Sequence, residues 1–395
     1  MKIFVTGLGV ISAAGIGEAG TLECFRSGRR NAGPVSLFKS EIISPVFEVK
    51  NFTKDYYGER LRTLNLCLAA LEDALADAGL SRNDLKGKRI GVAMGTTVGS
   101  ILNDLDFYRE YREKGSASMA AVDRYLESNL ASVTHSFLAT VGPSITVVNA
   151  CASGADAIGI AMSWMRAGLC DLALAGGADE MNRVPLCGFA SLGILSDSLC
   201  APFDRDRSGL NLGEGAGVLV LENENSLKKR GAKARAIVRG YGTSNDAFHL
   251  TSPDPDGQGL EKAIAKALQE AAIGPSEIAF INAHGTATKD NDSVEGRVLH
   301  RLFGADIPFL STKGYTGHTL GAAGGLEAIF SIFALENGWL PESAGFENAD
   351  PAIPMTPVKE LTEVDGRFAL STSLGFGGCD AALVIEKING EHKNS

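Results

Sequence analysis

Three residues in this sequence stand in settings that suit nucleophilic chemistry. They are Cys151 in NACASGADAIG, His284 in NAHGTAT and His318 in STKGYTGHTLGAAG. A thiolate is a nucleophile that can take up an acyl group, and histidines at turns are candidates to act beside it. Cys151 follows the apolar run 145–148 and precedes a stretch, 154–168, of small and apolar residues at helical spacing. The thiol is thereby placed where a strand turns into a helix, beside free backbone N–H groups that favour an anion. Such a helix end lowers a thiol from its usual pKa of roughly 8.5 by about one unit, which makes thiolate a major species. Ala150, Ala152, Ser153 and Gly154 leave room for an acyl group. A buried structural cysteine is the plainer alternative, and it is the reading taken for the other six.

Both histidines lie at strand–helix turns flanked by Gly and Thr. Their spacing does not make a metal site: there is no HExxH, and no carboxylate stands at helical register with either. His249, in HLTSP, sits in a loop-like stretch that could line a cleft. LGFGG (374–378) either presents a backbone N–H to an oxyanion or simply makes a tight hairpin. It is not a nucleotide loop, since no GxxxxGK[ST] occurs and no GxGxxG opens a helix after a strand.

The elements that must hold these residues come in pairs. ALADAGL (74–80) and RIGVAMGTT (89–97) match ALQEAAI (267–273) and EIAFINAHGTAT (277–288). The glycine-opened helix CASGADAIGIAMSWMRAG (151–168) matches GAAGGLEAIFSIFALENG (321–338). DLALAGGADE…GAGVLVLE matches FALSTSLGFGGCDAALVIE, again as strands joined by glycine turns. Three matches in one order predict a duplicated α/β chain with its site where loops of the two halves meet. The expected halves are 1–240 and 241–395, with the boundary near 237–245. The offset between matched elements shortens along the chain, so the first half carries an insertion, assigned to 101–130.

Composition agrees with a globular protein: 395 residues, 45% apolar and 21% charged, with a formal charge of −10. An acidic chain has no general pull on nucleic acid or anionic membrane, and KKRGAKARA (228–236) reads as a solvated helix end. Seven dispersed cysteines without a CxxC pair argue against disulfides and zinc, and for a reducing cytoplasm. The apolar opening MKIFVTGLGVISAAG reads as a buried first strand, and no run is long enough to span a membrane.

Taken together, VTGLGVISAAG, NACASGADAIG, PFDRDRSGLNLGEGAGVLVLE, NAHGTAT, STKGYTGHTLGAAG and GFGG run the length of the chain. The sequence so resembles the β-ketoacyl-acyl carrier protein synthases, in particular the elongating condensing enzymes with a Cys-His-His triad. The resemblance implies a thiolase-like fold of five layers (αβαβα) built from two α/β halves, usually as a homodimer, with a heterodimer as the variant. It implies that Cys151 accepts the acyl group and that His284 and His318 serve malonyl decarboxylation. Lys313 becomes the active-site lysine, with Glu295 as its buried partner. Phe376 becomes the gate, its N–H and that of Cys151 forming an oxyanion hole. Thr286 and Thr288 line the pantetheine arm, Thr251 is a further substrate-binding residue, and Val98 and Phe189 line the acyl tunnel. The implied partner is an acyl carrier protein presenting substrate on phosphopantetheine, with no other cofactor and no metal. Arg60, Arg62, Arg205 and Arg207 are the candidates for docking it.

The sequence departs from the family pattern at KDND (289–292), at Gly-Tyr in STKGYTGH, and at Cys379-Asp380, where Thr-Asn is usual. Two other functions are weighed. A thiolase would use Cys379 as a base, but needs Gly-His-Pro where this chain has GHTLGAAG. A non-catalytic chain-length-factor-like subunit would usually lack the cysteine.

Overall fold

The apolar opening stretch forms β1 (Ile3–Ser12), a strand buried along almost its whole length. The computed structural model describes residues 1–57, 61–99 and 105–388. After β1 the first half supplies β2 (Gly91–Gly95), β3 (Ser144–Val147), β4 (Leu172–Asp179) and β5 (Gly215–Asn223). The second half supplies β6 (Ala236–Asn245), β7 (Ile278–Asn282), β8 (Phe309–Leu310), β9 (Phe368–Gly375) and β10 (Cys379–Lys387).

The strand order repeats. Outward from the centre, the first half runs β1-β5-β4-β2-β3 and the second β6-β10-β9-β7-β8. In both halves the first two pairings are antiparallel and the last two parallel. β1 and β6 meet antiparallel through Ile3–Val5 and Ala236–Val238. The range 237–245 lies inside β6.

The main helices are α1 (Arg62–Asp77), α2 (Leu105–Lys114), α3 (Ala120–Glu127), α4 (Leu130–Leu138), α5 (Ser153–Arg166), α6 (Arg183–Ser191), α7 (Gln258–Ala271), α8 (Lys289–Phe303) and α9 (Ala323–Asn337). Side-chain alternation along the strands assigns them to layers. Val218 and Val220 of β5 face α1 in one core, whereas Leu219 and Leu221 face α5 and α9 in another. In β10, Leu383 joins that shared core while Val384 faces α7 and α8. The layers are therefore helix, sheet, paired central helices, sheet, helix.

The two central helices cross at their N-terminal ends, where glycine is required. A Cβ on Gly154 would stand 2.8 Å from both the Gly321 carbonyl and the Gly325 amide, and one on Gly324 would stand 2.5 Å from the Ala155 amide. This close approach sets the start of α5, next to Cys151, against the start of α9, next to His318. The connection from β2 to β3 (96–143) is longer than its counterpart from β7 to β8 (283–308). It carries α2, α3 and α4, and residues 101–104 of the proposed insertion lie outside the described residues.

Candidate active site

Cys151 occupies a strained turn between β3 and α5. Ala150 before it has φ 47°, a left-handed conformation that L-residues adopt at a cost. The turn is stitched by Ser153, whose hydroxyl donates to the Ala150 carbonyl at 2.6 Å and accepts from the Asn149 amide at 2.8 Å. The end of β9 passes directly against it: a Cβ on Gly375 would lie 3.3 Å from the Cys151 amide. Phe376, next along, turns its backbone N–H toward the Cys151 sulfur. LGFGG is thus both a hairpin turn and a donor loop, with Gly377 and Gly378 at φ 85° and 74°.

The thiol does not behave as its helix-end position alone predicts. Burial pushes it up to about 12, and the Lys313 charge and the Phe376 amide only partly offset that. The reason is desolvation: a sulfur closed off from water loses more as an anion than a helix end returns. The resting group is therefore a neutral thiol, and its proton has an acceptor in reach. His318 Nε2 lies 2.9 Å from Sγ.

His318 is positioned by strand-like pairing with GLNLGEG: its amide donates to the Asn211 carbonyl at 2.8 Å, and its own carbonyl accepts from the Gly213 amide at 3.0 Å. The His284 ring stands against it, with centroids 5.2 Å apart at 85°. Lys313 Nζ sits 3.1 Å from His284 Nδ1 and donates to the His284 carbonyl at 2.6 Å. An ammonium can only donate, so His284 Nδ1 accepts and Nε2 carries the hydrogen. Burial and the Lys313 charge hold both imidazoles well below the usual range, so both are neutral.

Lys313 pairs with Glu327 on α9, not with Glu295. Glu295 is committed elsewhere. Its carboxylate accepts from the amides of His284 and Gly285, each at 2.8 Å, and from the Thr372 hydroxyl at 2.7 Å. It shapes the turn that carries His284, while Glu327 balances the lysine. The signal for Glu327 was available: it is the one charge in GAAGGLEAIFSIFAL, an otherwise apolar helix start. Asp179 was also missed. It gathers the Thr96 hydroxyl at 2.6 Å, the Thr97 amide at 2.8 Å and the Gly321 amide at 2.7 Å, tying the β2 turn to the start of α9.

A cleft of about 410 Å³ opens onto Cys151, His284 and His318. Thr251, Thr286, Thr288, Phe189 and Phe376 line it, and the Phe189 and Phe376 rings stack with centroids 5.5 Å apart. Val98 does not line this cleft; its turn folds toward Asp179, to which its amide donates. Nor does His249, whose Nδ1 accepts from the Thr251 and Ser252 amides. Cys379 is also outside it, its sulfur beside the Asn245 side-chain amide, and so is not placed as the base a thiolase would need. One ligand atom each from Cys151, His284 and His318 lie within 4.8 Å of one another. The Lys313 ammonium beside them opposes a cation there.

The docking arginines need correction. Arg62 is held in a two-point pair with Glu214, with both its Nε and Nη2 engaged. Arg207 is buried, and its guanidinium binds the Thr288 and Lys289 carbonyls, Ser293 and Asp350. Charge-rich RDRSG is in part an internal clamp on the loop below the cleft. Arg205 is exposed and paired with Asp206, and Arg60 lies outside the described residues.

This fold and this site define a thiolase-like condensing enzyme. The chain belongs to the β-ketoacyl synthase family: the profile for the family's N-terminal domain matches residues 2–226 and that for its C-terminal domain residues 235–347. It is 34% identical to the 3-oxoacyl-[acyl-carrier-protein] synthase 2 of Synechocystis, over 98% of each chain. Among solved structures it superposes on the ishigamide ketosynthase/chain length factor with a TM-score of 0.92, at 33% identity over 98% of this chain and 99% of the other. It superposes likewise on a type II polyketide ketosynthase solved with its acyl-carrier protein (TM-score 0.89, 27% identity, 98% and 99% covered). The protein is an acyltransferase of the elongating, condensing kind.

Proposed function

We propose that the chain joins an acyl group held on Cys151 to malonyl-acyl carrier protein, releasing CO2 and a 3-oxoacyl-acyl carrier protein longer by two carbons. The observation that supports this best is the triad itself: a thiol 2.9 Å from one neutral imidazole, with a second imidazole whose tautomer a lysine sets. In the first half-reaction the Cys151 thiol gives its proton to His318 as sulfur attacks the incoming thioester. The tetrahedral oxygen is held by the Cys151 and Phe376 amides, and the proton leaves on the departing pantetheine thiol. In the second, the malonyl carboxylate leaves as CO2, and the enolate oxygen is stabilised by the His284 Nε2–H. The enolate carbon attacks the acyl-cysteine, breaking its C–S bond, and the released Cys151 thiolate takes up one proton from solvent.

Thr286 and Thr288, whose hydroxyls lie 2.9 Å apart in the cleft, are proposed to meet the pantetheine arm, with Thr251 across from them. Phe376, stacked on Phe189, is proposed as the gate between the half-reactions. The reaction as written uses no cofactor beyond that arm, and a cytoplasmic setting suits its free thiol. Incubation with acyl- and malonyl-acyl carrier protein tests the reading. Mass spectrometry should show one product two carbons longer per CO2 released, and a chain that binds both substrates without turnover would be a partner subunit instead.

A second synthase-type chain is the proposed neighbour, with a homodimer the simplest case. β3 is an edge strand of the sheet, and around it Val141, Ile145 and Val148 are 60%, 40% and 67% exposed. An unpaired apolar edge is a template for pairing with another chain. Val148→Asp is expected to halve the mass measured by light scattering, and an unchanged mass would move the interface elsewhere.

A further inference from the structure

The turn that aims Phe376 at the nucleophile is fastened to a second loop, residues 246–256, that follows β6. The Gly377 amide donates to the Leu250 carbonyl at 2.8 Å, and the Asp246 amide donates to the Gly378 carbonyl at 2.8 Å. Asn245 adds a side-chain bond to the Gly377 carbonyl at 2.9 Å. Beneath this seam two carboxyl groups face each other. A Cβ on Gly259 of α7 would lie 2.2 Å from Asp246 Oδ1 and 2.3 Å from Asp380 Oδ2, so both oxygens converge on one spot. Asp380 is only 2% exposed, and its Oδ2 has no donor among the described residues. Two charged carboxylates repel there, and Asp380, the buried one, is pushed toward its protonated form, which can donate to Asp246.

We propose that Asp246 and Asp380 form an acid pair sharing one proton, and that this pair latches the Phe376 turn in place against Cys151. Asp380 stands one residue beyond Cys379 at the foot of the turn, in β10, and Asp246 begins the opposing loop. Protonated, the pair draws the two segments together. With both ionised, repulsion at short range in a buried setting pushes them apart. The surroundings reinforce this. Asp254 gives its amide to Asp246 Oδ2 at 2.9 Å, and its carboxylate and that of Glu295 on α8 add negative charge. On α7, Lys266 donates its ammonium to the Thr243 carbonyl. On the cleft side stand Lys289, Asp290 and neutral His284 and His318, and His249 of the loop is occupied by the Thr251 and Ser252 amides.

Burial, then Asp246, push the Asp380 carboxyl up to about 8. A carboxyl raised above its unfolded value stabilises the fold at low pH and loses that contribution as pH rises through the raised value. The latch therefore holds at neutral pH and releases through about pH 8.

The test is hydrogen exchange of the peptide spanning 374–380, corrected for intrinsic exchange, in the parent and in Asp380→Asn. The asparagine supplies a permanent donor to Asp246. Protection of the turn in the parent should fall by about two- to tenfold between roughly pH 7 and 9, the worth of one net hydrogen bond, and stay level in the variant. Asp246→Asn gives the same prediction from the other side, should Asp380→Asn fold poorly. A parent that stays level, or a variant that falls with it, overturns the latch. The latch's effect on chemistry rests on the role proposed above for the Phe376 amide. That role is read separately, as the ratio of Cys151 acylation by a small thioester to its alkylation by iodoacetamide. Protection that falls while this ratio holds constant establishes the latch and refutes the oxyanion role.

Discussion

Cys151→Ala should form no acyl-enzyme and no condensation product, yet retain slow release of CO2 from malonyl thioester. Its two imidazoles still face the place where the enolate forms. Replacing His284 by alanine removes the donor whose hydrogen Lys313 keeps on Nε2 and should lower decarboxylation by about 10²–10³-fold. The two histidines should part company in the first half-reaction. Because burial pushes the Cys151 thiol up to about 12, attack depends on the group that takes its proton, and that group is His318 at 2.9 Å. His318→Ala should therefore slow acylation by about 10²–10⁴-fold, the usual worth of a general base, while His284→Ala leaves it much nearer the parent.

The pH dependence follows with a definite sign. Without His318 the enzyme must rely on free thiolate, so acylation should climb about tenfold per pH unit through the neutral range, below the thiol's pKa. The parent should be flatter, since a neutral imidazole already accepts the proton there. Trapping the acyl-enzyme and timing it by mass spectrometry decides the matter. Equal acylation by both histidine variants would mean that the thiol is activated by the helix end and the Phe376 amide alone.

The triad was legible because its members sit at turns that punctuate the sequence. A thiol between an apolar run and a small-residue helix, and histidines bracketed by Gly and Thr, mark places where backbone ends converge. The duplication was legible too, and the repeated strand order carries it into three dimensions. Long-range electrostatics were not. Glu295 and Glu327 both lie on helices beyond a catalytic turn, and spacing cannot say which one meets a lysine. The answer depends on how α8 and α9 pack, and it is the α9 carboxylate that reaches the Lys313 ammonium. Arg207 failed for the same reason: a charged stretch suggests surface, but this guanidinium is drawn inside by carbonyls and Asp350. The thiol was misjudged in sign because a helix terminus can be read from sequence, whereas the depth of burial that opposes it cannot.

Glu327→Gln is expected to injure both stability and the second half-reaction. Lys313 and Glu327 form an ion pair with side chains only 2% and 3% exposed. Removing one partner of such a pair typically costs about 3–5 kcal/mol, because the remaining charge stays buried without compensation. A thermal melt should therefore shift down clearly. The chemical consequence runs through His284. In the parent the ammonium can only donate to Nδ1, which keeps the hydrogen on Nε2. Without its carboxylate, Lys313 Nζ loses the contact that aims it at Nδ1. The His284 tautomer is then no longer fixed, and a ring with its hydrogen on Nδ1 presents a bare Nε2 with nothing to offer an enolate. Decarboxylation by Glu327→Gln should therefore fall, while acylation of Cys151, served by His318, follows the parent. Glu295→Gln separates the two carboxylates, since it disturbs the His284 turn without stripping Lys313 of its charge partner. If Glu327→Gln slows acylation as much as decarboxylation, the carboxylate acts on packing alone and the lysine does not set the His284 tautomer.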